Sequence, residues 1–81
     1  MHYEVLSFIK NLDEITDNRR SQLSLLMLRI STVKENLEWA PKEQKLEHKE
    51  KLQQFMDLFA HIYHRQPLRK FGNLTVIDNI H

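Results

Sequence analysis

Apolar residues return at every third or fourth position from Val5 onward: Val5, Ile9 and Leu12, then, after Thr16 and Arg19, Leu23, Leu26, Ile30, Val33 and Leu37. Alternating steps of four and three make the seam of a helix that packs in coiled-coil fashion. Phe8, Ile15 and Met27 widen the stripe, as a globular bundle needs, while Ser7, Lys10, Asn11, Glu14, Ser21 and Glu35 lie opposite. The phase survives Thr16-Asp17-Asn18, so the spacing predicts one helix over about 3–38, roughly 54 Å long at 1.5 Å per residue. The competing arrangement breaks near 17–18, where Asp17 or Asn18 can cap a new helix.

Ala40-Pro41 is the clearest boundary, because proline suits a first helical position and restrains the residue before it away from helix. A second helix over about 42–65 follows. Its seam is Leu52, Phe55, Phe59 and Ile62, flanked by Met56, Leu58 and Tyr63. Its beginning, Lys42 to Lys51, is nearly all charged, and Leu46, the one apolar residue there, points away from the later seam. Gln66-Pro67 ends the helix. In the tail, 67–81, Phe71-Gly72-Asn73 reads as a turn, and Leu74 to Ile77 as a short strand, a docked extended segment or one helical turn.

These elements define an all-α chain whose unit is a long antiparallel helical hairpin over 1–66. Folded about residues 39–41, the hairpin sets Leu26 level with Phe55 but leaves Ile30, Val33 and Leu37 opposite the charged stretch, and Val5 to Leu12 beyond Gln66. Leaving each Leu-sized side chain in water forfeits roughly 1.5–3 kcal/mol. The expectation is therefore a homodimer, forming a four-helix bundle or coiled-coil-like assembly. A three-helix monomer, made by folding residues 3–16 back, is the alternative. Leu25 and Leu28 project from the opposite side of the first helix, and a helix apolar on two sides is buried on two sides. Leu25, Leu28, Ile30, Val33 and Leu37 are thus the expected partner-binding residues.

Composition narrows this further. A chain of 81 residues is one domain and buries only about 60% of its unfolded surface. There is no cysteine, so no disulfide supports the core. With Glu4, Asp13 and Glu14 among the first residues and no long apolar run, neither a secretory signal nor a membrane span is expected, and the expected location is cytoplasmic. A net charge of +1 gives no strong electrostatic case for nucleic acid or for an anionic membrane.

Candidate chemistry is sparse. Asp57, His61 and His64 share a helix face at metal-ligand spacing, but that face is solvent-facing and lacks a fourth ligand, so no metal or other cofactor is expected. Arg19, alone in the apolar seam, suggests a register-setting ion pair with a carboxylate such as Asp57. Arg65, Arg69 and Lys70, beside His64 and Phe71, form a mild basic patch suited to an anionic partner. One glycine excludes a Gly-rich phosphate loop, and no nucleophilic arrangement is present. The sequence points to a non-enzymatic interaction module, an adaptor, chaperone or regulator that holds another protein's amphipathic helix. A small nucleic-acid-binding regulator acting through Arg65 to Phe71 is the alternative.

Overall fold

The computed structural model describes residues 2–71, apart from the side chain of Arg69. Three helices run α1 (Tyr3–Ile15), α2 (Arg19–Trp39) and α3 (Lys45–Tyr63), with single 3-10 turns at Lys42–Gln44 and Leu68–Lys70. Among the described residues there is no strand, and no helix is long and apolar enough to cross a membrane.

The single helix expected over 3–38 is instead two helices. The seam slots that hold Thr16 and Arg19 mark the place. Thr16 is extended and ends α1, and its hydroxyl accepts from the Asn18 amide at 3.0 Å. The Asn18 carboxamide oxygen accepts from the Ser21 amide at 3.0 Å and starts α2. Buried Gln22 locks the corner by donating to the Thr16 carbonyl at 2.8 Å. Apolar phase is kept across the break because α1 and α2 both turn their stripes to one core.

The chain therefore runs up, down and up, and α1 lies beside α3 in the same direction. His2 begins α1: its ring Nδ1 accepts from the Glu4 amide, and its own amide donates to Gln54 of α3 at 2.7 Å. Val5, Ile9 and Leu12 from α1, Leu26 and Val33 from α2, and Phe55, Leu58 and Ile62 from α3 make the core. Phe8 meets Phe55 edge to face, with ring centroids 5.5 Å apart. Lys51 is buried to 5% exposure, its stem inside and its ammonium 3.0 Å from Glu4.

The inward face of α3 differs from the expected seam. Leu58 is fully buried, whereas Leu52 and Phe59 are half-covered. Docking of α1 causes this, since it covers the Lys51–Leu58 side and leaves the Phe59–Met56 side open. At its end α3 closes with Arg65 at φ 61°: the Gln66 amide bonds the His61 carbonyl, and the Arg65 amide bonds that of Ile62. This is a Schellman ending with arginine at the place glycine favours, and Pro67 follows. Leu68 and Phe71 then turn back into the core. The turn expected at Phe71-Gly72-Asn73 lies beyond Phe71 outside the described residues, as do Leu74 to Ile77, expected as a strand, a docked extended segment or one helical turn.

Candidate functional site

Two apolar grooves flank α2. The first lies between α1 and α2 and is lined by Phe8, Leu12, Ile15, Leu25, Leu28 and Arg29. Ile15 and Leu28 are 70% and 68% exposed, and Leu25 is 37%. The Arg29 guanidinium sits 5.5 Å over the Phe8 ring, a cation–π contact that closes the groove's floor. Charges around this face have both signs: Glu4 shares a surface hollow with Arg29, and exposed Glu35 follows Leu28 two turns on along the same side of α2.

The second groove lies between α2 and α3, on the side away from α1. Met27, Ile30, Ser31, Lys34, Met56 and Phe59 line it. Phe59 stacks on Tyr63 at 6.4 Å and 15°, extending the apolar floor toward the end of α3. Met27 is 59% exposed and Met56 44%. Sequence reasoning assigned both methionines to the flanks of a stripe. That they face each other across a groove becomes visible only once α1 is known to take the opposite side.

The other expected partner-binding residues divide. Val33 is 2% exposed, covered within one chain, while Ile30 and Leu37 are half-buried. The break at 16–18 is the reason, because α1 supplies cover that a simple hairpin lacks. Leu46 and Trp39 stay exposed near the hairpin tip.

Arg19 stands at the first turn of α2 rather than mid-seam. Its guanidinium donates to the Tyr63 carbonyl at 3.2 Å, while Asp57 accepts from Gln53 at 2.9 Å. Arg19 thus serves the carbonyl end of α3 and makes no pair with Asp57. The Asp57, His61 and His64 face is divided in the same way. The His61 ring Nε2 lies 2.6 Å from the Pro67 carbonyl, and its ring packs on Phe71. The His64 ring packs on Tyr63. Among the described residues no cluster of three metal-ligating side chains forms.

The basic patch also changes character. Arg65 and Lys70 are exposed, but Phe71 is buried to 9%, so its ring face is not free to stack on a base. A hollow of mixed character lies nearby, lined by Asp13, Asp17, Arg19, Gln22 and Arg65 together with Ile62, Pro67 and Leu68. It contains charges of both signs and no nucleophile placed beside a base.

Electrostatics mark one junction. The Lys51 ammonium, hydrogen-bonded to Glu4, holds that carboxyl below its ordinary range; partial burial opposes the shift, and the charges of Lys51, His2 and Arg29 add to it. Comparison with protein-family models, with curated proteins and with solved structures gives no match.

Proposed function

We propose that this chain is a non-enzymatic protein–protein interaction module that pairs with a second copy of itself, or with a partner's amphipathic helix, through apolar helical faces. The observation that carries the reading is the outer side of α2, where Leu28 stands 68% exposed beside Leu25 and Ile15 once the described residues have packed their core. A three-helix monomer leaves that groove open, and burying Leu- and Ile-sized side chains in it stabilises a complex by roughly 1.5–3 kcal/mol each. Flanking charges of both signs suit a two-fold related copy, which can set Arg29 of one copy against Glu35 of the other. Adaptor, chaperone and regulator roles all use such a surface, and the fold alone does not choose among them.

The test is sedimentation of the full chain against Leu25→Glu with Leu28→Glu. The wild type is expected near twice its monomer mass at micromolar concentration. The double variant should sediment as a monomer and keep its helical circular dichroism, because Leu28 is largely open to water in one chain and Leu25 partly so. A wild-type monomer at all concentrations would sink self-association. Unfolding of the double variant would make these leucines core residues instead.

A further inference from the structure

We propose that the groove between α2 and α3, floored by Met27, Ile30, Met56 and Phe59, receives an acidic amphipathic helix from another protein. This goes beyond self-association through the α1–α2 side, since it concerns the opposite face of α2. Helical spacing extends the groove's walls past the residues that line it. On α2 the stripe is Arg20, Met27, Ser31, Lys34 and Glu38, and on α3 it is Lys45, Lys49, Met56, Ala60 and Tyr63. Four of the five charged residues on these walls are therefore basic. α2 and α3 are antiparallel, with Arg19 meeting the Tyr63 carbonyl at one end, so Lys34 stands level with Lys49 across the groove. Both are exposed, and among the described residues neither has an ion-pair partner. Two unpaired lysines above an apolar floor attract a helix that is apolar on one side and carries Asp or Glu beside that stripe. Two exposed methionines provide a floor whose unbranched side chains can repack around the incoming residues.

Other occupants fit less well. A second copy of this chain would bring the same basic rim against its own, which repels. Phe71, the last described residue, lies on the far side: it packs on the His61 ring, and His61 lies on the face of α3 opposite Met56 and Phe59. A flat anionic membrane would meet the lysines but leave the concave floor unfilled.

The test uses two synthetic amphipathic peptides that share one leucine face, one flanked by glutamates and the other by lysines. Each is titrated into the full chain carrying labelled methionine methyls, at low ionic strength. The glutamate peptide is expected to shift the Met27 and Met56 methyls and to bind about tenfold or more tightly than the lysine peptide, a gap that narrows as salt is added. Lys34→Glu with Lys49→Glu should reverse the order. Met27→Glu with Met56→Glu should remove binding while leaving circular dichroism unchanged, and Leu25→Glu with Leu28→Glu should leave peptide binding intact, which separates this groove from the self-association face. Equal affinity for both peptides, binding of neither, or loss through the Leu25 and Leu28 variant would overturn the proposal. So would nuclear Overhauser effects from the two methyls to Leu74 or Val76 in the free chain, or lysine-dependent binding to phosphatidylserine-containing vesicles with the glutamate peptide ignored.

Discussion

α1 and the α2–α3 hairpin are joined to the same core by different means. α1 is 13 residues long and buries three apolar side chains, Val5, Ile9 and Leu12. Polar contacts tie its ends: the His2 amide to Gln54, Glu4 to Lys51, and the Thr16 carbonyl to Gln22. The hairpin, with helices of 21 and 19 residues, packs along its length through Leu26, Val33, Phe55, Leu58 and Ile62. Apolar area sets how strongly an element is held, whereas a few directional bonds set where it sits. A short helix with little area needs such bonds to choose one position on a longer pair.

The sharpest way to break this comparison is at the residue both parts share. Phe55 is fully buried and touches Phe8 of α1, so Phe55→Ala should cost about 3–5 kcal/mol in denaturant unfolding and release both junctions. Phe59→Ala, at a half-covered site, should cost clearly less. Equal losses would mean that the core face of α3 does not have the rotation described above.

A smaller effect separates packing from charge at the α1 junction. Lys51→Ala removes a buried stem and should cost about 2 kcal/mol, at roughly 0.8 kcal/mol per methylene. Lys51→Met keeps most of the stem and leaves Glu4, half open to water, to be solvated. It should stay within about 0.5 kcal/mol of wild type. If methionine is as damaging as alanine, the ion pair carries the junction.

The smallest effect is a dependence on pH. Glu4 has a folded-state pKa below its unfolded value, held there first by the Lys51 hydrogen bond. Its contribution is therefore complete above the ordinary glutamate value of about 4.3, and it is lost as pH falls through the lower, folded value. The melting temperature should drop across that acidic window, by a modest amount because the pair is partly solvated. Glu4→Gln should flatten this part of the profile, and an unchanged profile in that variant would remove Glu4 from the account.

Much of the architecture was legible in local chemistry. Ala40-Pro41 and Gln66-Pro67 mark the ends of α2 and α3 because proline restricts what precedes it. The break after α1 was present as well, in the two polar seam slots and in the capping Asn18. It was obscured because helices that face one core keep phase across a corner. The burial of Lys51 and Phe71 was not legible, since it depends on which element covers which side. The groove between α2 and α3 was hidden for the same reason. That Leu25 and Leu28 point away from the core was legible, because their projection depends on α2 alone.

The protein's single tryptophan, Trp39, ends α2 with 78% of its surface in water. An indole already solvated in the native state has little to gain in exposure when the chain unfolds. Intrinsic fluorescence should therefore be nearly blind to melting of the core, and circular dichroism must follow it instead. That same blindness makes Trp39 a quiet spectroscopic probe: a blue shift in its emission would report something new settling on the hairpin tip.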